Sequence, residues 1–231
     1  MENSDVLLSA LDNRAFLYNF AWRLLGAPMD EDSLAVVADE VVAGQAVILA
    51  GEEAQLVDLS QRLAQVASEA DLSQLATEYT RLFEGPGKLP APPWESVYLA
   101  DGDLLFQEST LRVREAYKEA GFKAAGYPHE ADDQVATELS FMAALIQGTR
   151  EALEADDPQR ARAYLIAQQK FLDKHLNQWL TPFAERLNQQ APASTSPFYP
   201  LAVYFTAELC VCDKTAVKDL LSAVGAGGAL E

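Results

Sequence analysis

Apolar positions recur at helical spacing along almost the whole chain. Leu7, Leu11, Tyr18, Trp22 and Leu25 follow one another at intervals of three, four or seven, and Gly26-Ala27-Pro28 closes that run. A weaker helix is expected from about residue 31 to 43, entered through Asp30 to Asp32, and Leu56, Leu59, Leu63 and Val66 mark a third. Asp71 fits an N-cap, with Gln74 in the reciprocal capping-box position, and opens a helix carrying Leu72, Leu75, Tyr79, Leu82 and Phe83. Another is predicted over about 109–120 with Gly121 just past its end. The next starts at Asp132-Asp133, carries Val135, Leu139, Met142, Ala143 and Ile146, and stops before Gly148. Asp156-Asp157-Pro158 is a strong start signal for a helix reaching about His175. A short helix restarts at Thr181-Pro182, two more close the chain over about 200–212 and 214–224, and residues 225–231 read as a frayed tail. Sustained two-residue alternation is missing, so strands are minor at most. The expected fold is all-α, with about ten helices in a single compact domain over residues 1–231.

The helical pattern breaks at Glu84-Gly85-Pro86-Gly87-Lys88-Leu89-Pro90-Ala91-Pro92-Pro93-Trp94, where four of the chain's eleven prolines crowd together. Each proline fixes φ and biases its predecessor to extended geometry, so this loop is stiff. Trp94, Val97 and Tyr98 come at once after it, which makes the loop either a structural crossover or a platform for a ligand.

Charge then narrows the possible partners. Seventeen Lys and Arg stand against 35 Asp and Glu, a formal charge of −18, which excludes binding to phosphate backbones through a basic surface and disfavours anionic membranes. A cationic partner suits such a chain. The longest strongly apolar run, Leu201 to Cys212, contains Glu208 and is too short to span a bilayer. The first residues carry neither the basic nor the apolar region of a signal peptide, and Cys210 and Cys212 are too close for a good disulfide on a helix. A cytoplasmic protein is expected.

Catalytic and metal chemistry finds little support. The only histidines are His129 and His175, no Glu-x-x-His pair is present, and Cys210-Val211-Cys212 lacks zinc-knuckle spacing. Gly85-Pro86-Gly87-Lys88 fails as a phosphate loop, because Leu82 and Leu89 occupy the positions of the required glycine and hydroxyl residue. Asp132-Asp133 would suit a magnesium-dependent helical enzyme only with a third carboxylate near 136, where Ala136 stands. No cofactor and no enzymatic activity are expected.

Glu78-Tyr79-Thr80-Arg81-Leu82-Phe83-Glu84-Gly85-Pro86, with Pro92-Pro93-Trp94-Glu95-Ser96-Val97-Tyr98 after it, resembles the signature of the TorD/DmsD family of redox-enzyme maturation chaperones. The resemblance continues through Leu105 to Thr110, Asp132-Asp133 with Glu138 to Met142, His175 to Trp179, and Pro197-Phe198-Tyr199. It implies an all-α cytoplasmic chaperone for the twin-arginine leader peptide of a molybdopterin-containing reductase, of the dimethyl sulfoxide or trimethylamine N-oxide type. The chaperone would hold the apo-enzyme for cofactor insertion before export. It would act as a monomer, with a domain-swapped dimer as the alternative the resemblance raises.

By motif, the leader-binding residues carried over are Leu82, Phe83, Gly85, Pro86, Pro93, Trp94, Ser96 and Asp133, with Gln134 in place of the family's histidine. The physical reading runs parallel. Guanidinium pairs bidentately with carboxylates and stacks on aromatic rings, so Asp133, Glu95 or Glu84 beside Trp94 would take the arginines while Leu82, Phe83 and Val97 meet the apolar segment. The competing readings are core packing for Leu82, Phe83 and Trp94 and helix capping for Asp133. An acidic helical scaffold without leader specificity is the main alternative function, and a magnesium-dependent enzyme the remote one.

Overall fold

A computed structural model describes residues 2–50, 54–99, 108–124 and 131–227. Leu11, Tyr18 and Leu25 turn inward from α1 (Glu2–Leu25), while Trp22 from the same run is 41% exposed. Asp30 caps α2 (Glu31–Ala38) through the Ser33 amide, and Asp39 then breaks the expected single helix by capping α3 (Glu40–Gly44) in extended geometry. A short α4 (Ala46–Ala50) precedes α5 (Ala54–Ser68), which buries Leu56, Leu59 and Leu63 along one stripe. Asp71 caps α6 (Leu72–Tyr79) as expected, but Gln74 donates to Glu78 instead of closing the capping box. Helix α6 runs on into a π-helical turn, Thr80–Glu84.

Past the proline-rich loop come α7 (Ser96–Leu99) and α8 (Glu108–Glu119), with Gly121 at φ +71° beyond the end of α8. Helix α9 (Val135–Glu154) does not stop before Gly148. A Cβ there would come within 2.7 Å of the Tyr164 ring, so glycine permits close approach of α9 to α10 (Pro158–Phe171). Asp157 caps α10 with Pro158 as its first residue. A π-helical turn, Leu172–Leu176, leads directly into α11 (Asn177–Gln190). Pro182 therefore lies inside a helix instead of starting one, with its ring on the exposed outer side.

The last element, α12 (Phe198–Gly227), is one helix where two were expected. No break is needed at 213, because the Asp213 side chain is buried against Arg14 and does not turn back to cap the backbone. Residues 225–227 are consequently helical, and residues 228–231 lie outside the described residues.

Helices α9 and α12 are the centre of the assembly. Helix α1 packs on both, α10 lies against both, and α5 and α11 flank α12. Most of the buried apolar side chains join one core cluster. The all-α expectation is met: no named strand occurs among the described residues, and an isolated antiparallel bridge joins Trp94 to Gln134.

Candidate functional site

The stiff loop is fastened at both ends. Gly85 leaves the π-helical turn at φ +98°, where a side chain would be strained, and its amide still donates to the Thr80 carbonyl at 2.8 Å. Further along, the Pro90 carbonyl accepts from Arg186 Nε at 3.1 Å, and the same guanidinium lies 5.7 Å above the Tyr98 ring centre. Pro92 and Pro93 carry no amide hydrogen, so neither can donate to a ladder. The Pro93 carbonyl accepts from the Val135 amide at 3.0 Å, and the Glu95 amide donates to the Asp133 carbonyl at 3.0 Å. Asp133 Oδ2 takes the Ser96 amide at 2.9 Å and thereby caps α7 from another part of the chain. Helix α9 is capped by Gln134 instead, whose Oε1 accepts from the Ala136 and Thr137 amides. This corrects the expectation that Asp132 or Asp133 opens that helix. Trp94 and Gln134, both half-buried, thus sit opposite each other at the surface.

Beneath that pair is a buried polar cluster. Glu95 is fully buried and accepts from His175 Nδ1 at 2.9 Å, and His175 in turn stacks on Phe171 with ring centres 4.7 Å apart. Glu138, also fully buried, accepts from Trp179 Nε1 at 3.1 Å, while its Oε1 has no hydrogen-bond partner among the described residues. Burial, reinforced by the neighbouring Glu95 charge, pushes the Glu138 carboxyl well above the ordinary range. Burial raises Glu95 as well, against the lowering effect of His175. At the edge of the cluster Asp132 pairs with Arg114 at 2.6 Å, and its carbonyl accepts from Tyr117 Oη at 2.9 Å. Asp133 Oδ1 and Ser96 Oγ are buried and have no partner among the described residues.

The residues expected to form the site divide by depth. Leu82 and Phe83 are core: Phe83 makes edge-to-face contacts with Tyr79, Phe183 and Tyr199, and Val97 is buried too. Their burial agrees with the core reading, because apolar residues at a helix end gain more from burial than from exposure. Pro93, Ser96 and Asp133 are buried supports, whereas Gly85, Pro86, Trp94 and Gln134 reach the surface. Glu95 and Asp133 are likewise not surface carboxylates awaiting arginine; Glu84 is exposed and accepts from Thr80 Oγ1. His129 and Leu105 to Gln107 fall outside the described residues. Sequence reasoning assigned no role to Glu138, Trp179 or Arg114. One signal was present: Glu138 occupies the same helical face as Phe141 and Leu145, and an acid in an apolar stripe marks a buried carboxyl.

Comparison with known proteins gives a consistent set of relatives. A family model described as nitrate reductase delta subunit matches residues 48–185. The protein named "Probable Tat proofreading chaperone DmsD" of Haemophilus influenzae is 30% identical over 139 residues, 60% of this chain and 60% of that protein. Chaperone protein TorD of Shewanella loihica is 28% identical over 187 residues, 78% of this chain and 82% of that one. Tat proofreading chaperone DmsD of Salmonella typhimurium is 33% identical over 125 residues, 54% and 58% of the two chains. The match thus spans about three fifths of the length of both DmsD relatives.

Proposed function

The chain belongs to the TorD/DmsD family, matched over residues 48–185 by the nitrate reductase delta subunit model, and from that premise we propose that it is a chaperone for a twin-arginine leader peptide. Its client would be a molybdopterin-containing reductase, held as apo-enzyme in the cytoplasm until cofactor insertion is complete. The carrying observation is the Trp94–Gln134 bridge, which holds the half-buried Trp94 at the surface on a backbone fixed from below. An arginine guanidinium can stack on the indole, while the formal charge of −18 attracts the cation from a distance. Pro86, Trp94 and the partly exposed Leu99 offer apolar area to the leader residues beyond the arginines. The fixed strap lowers the ordering cost of binding, because its backbone is already paired.

Calorimetric titration with leader peptides, each beside its Arg-Arg to Gln-Gln counterpart, tests this reading. One leader should bind and its counterpart should lose most of that affinity. Equal binding of both would favour a generic acidic scaffold, since total charge and not arginine position would then govern affinity.

A further inference from the structure

The stretch from Val41 to Ala50 contains a single polar residue, Gln45. It forms α3 and α4, and Gln45 between them keeps helical dihedrals (φ −63°, ψ −26°), so the two follow each other as nearly one helix. The fold accounts for one face. Ala43 and Ala46 are buried, Ser60 Oγ donates to the Ala43 carbonyl at 3.0 Å, and α4 packs against α1, α5 and α12. Gln45 is drawn to the same side, because Asn13 Nδ2 on α1 donates to its backbone carbonyl at 3.1 Å and to its side-chain oxygen at 3.4 Å. The outer face is left wholly apolar: Val41, Val47 and Ile48 are 75%, 49% and 63% exposed. Val41, Gly44 and Ile48 follow at helical spacing, and a Cβ at Gly44 would meet nothing within 4 Å. A helix apolar all round belongs between two partners, and here only one is present.

Charge identifies the other. Residues 24–61 hold eight Asp and Glu and no Lys, Arg or His, with Asp39 and Glu40 exposed at the head of α3. We propose that the outer face of α3 and α4 is a docking surface for an amphipathic helix of a partner protein, one whose apolar stripe is bordered by Lys and Arg. The stripe would cover Val41, Val47 and Ile48, and the open position at Gly44 lets a helix backbone come close. The bordering cations would face the acidic frame, which also steers the encounter. A second copy of this chain would set that frame against itself, and an anionic membrane would be repelled. The surface stands apart from Trp94. Asp12, next to Asn13, pairs with Arg150 at 2.8 Å, about 24 Å along α9 from Gln134. The proposal is therefore independent of leader binding.

The test uses the full chain and a synthetic helical peptide of about 18 leucines and lysines, with the leucines recurring as one stripe. Two further peptides serve as references, one of the same composition in scrambled order and one with glutamate for every lysine. Calorimetry is run at about 0.15 M salt, where exposed charges more than about 8 Å apart are largely screened. The striped basic peptide should bind, and both references should bind at least about tenfold more weakly. Binding of either reference as tightly as the striped peptide, or no binding of any, overturns the proposal.

Location is read in two ways. On adding the striped peptide to the wild type, protection from amide exchange should fall on residues 40–49, and protection centred elsewhere overturns the proposal. The triple variant Val41→Ser/Val47→Ser/Ile48→Ser changes only side chains that already face solvent, so it should unfold at the wild-type midpoint while losing at least about tenfold in affinity. Leu111→Ser/Val211→Ser, which removes exposed apolar side chains from α8 and α12, should keep wild-type affinity. An unchanged affinity in the triple variant, or an equal loss in the double one, overturns the proposal. So does self-association of the free wild type that the triple variant abolishes, because the occupant would then be a second copy. Protection of residues 40–49 by a twin-arginine leader alone overturns it too, since the face would then belong to the leader site.

Discussion

Asp213→Ala would expose how much the fold depends on one buried ion pair. Asp213 and Arg14 are both fully buried, on α12 and α1. The carboxylate accepts from Arg14 Nε at 2.5 Å, from Arg14 Nη2 at 2.8 Å and from Tyr18 Oη at 2.8 Å. Arg14 Nη2 also donates to Gln168 Oε1 at 2.7 Å, and Gln168 passes the network to Leu145 and Thr149 on α9. Burial alone would lower the Arg14 pKa; the adjacent Asp213 carboxylate more than offsets this and raises it. Removing Asp213 leaves that charge buried without its partner, which costs about 3–5 kcal/mol. For a chain of this size the cost lowers Tm by roughly 6–20 °C. Urea unfolding monitored by circular dichroism measures it directly. The double variant Arg14→Met/Asp213→Leu should lose far less than Asp213→Ala alone, because no charge is stranded. A cost below about 1 kcal/mol for Asp213→Ala would refute the reasoning, since the site would then be able to hydrate or release the arginine.

Phe83→Ala removes the centre of the Tyr79–Phe183–Tyr199 cluster and should cost about 3–5 kcal/mol in urea unfolding, while the folded fraction retains wild-type leader affinity. Glu138, raised in the folded state, gives stability that is complete below the unfolded carboxyl pKa and is lost as pH rises towards its folded value. Wild-type denaturation midpoints should therefore fall with rising pH above about 4.3, and E138Q should flatten that slope. Cys210 and Cys212 are buried free thiols, and burial pushes Cys210 far above an ordinary thiol. Iodoacetamide at mildly alkaline pH should modify them only at the rate of unfolding, as read by mass spectrometry of alkylated peptides.

Features encoded within a few residues were legible in the sequence. Asp30, Asp71 and Asp157 cap helices through amides three residues ahead, and Gly121 takes the positive φ that its position after a helix requires. The proline-rich loop was recognisable as stiff because proline acts on its own backbone. What was hidden depends on partners remote in the chain. Arg14 meets Asp213 across 199 residues and His175 meets Glu95 across 80, and no local pattern records either pairing. Asp133 looked like a helix cap because the chemistry is the same; it caps α7, not the helix immediately after it. Gly148 looked like a helix end and Pro182 like a helix start, yet one admits the Tyr164 ring and the other faces outward. In the site, neither the pairing of Trp94 with Gln134 nor the depth of Leu82, Phe83 and Glu95 was legible, since both are set by packing of remote segments.

Hydrogen–deuterium exchange of the chain with a bound twin-arginine leader tests the central claim most directly, because it reports specificity and location together. Protection should concentrate in peptides covering residues 93–99 and 133–137, and should disappear when the Gln-Gln counterpart replaces the leader. Protection centred on another face, or equal protection by both peptides, would contradict the account.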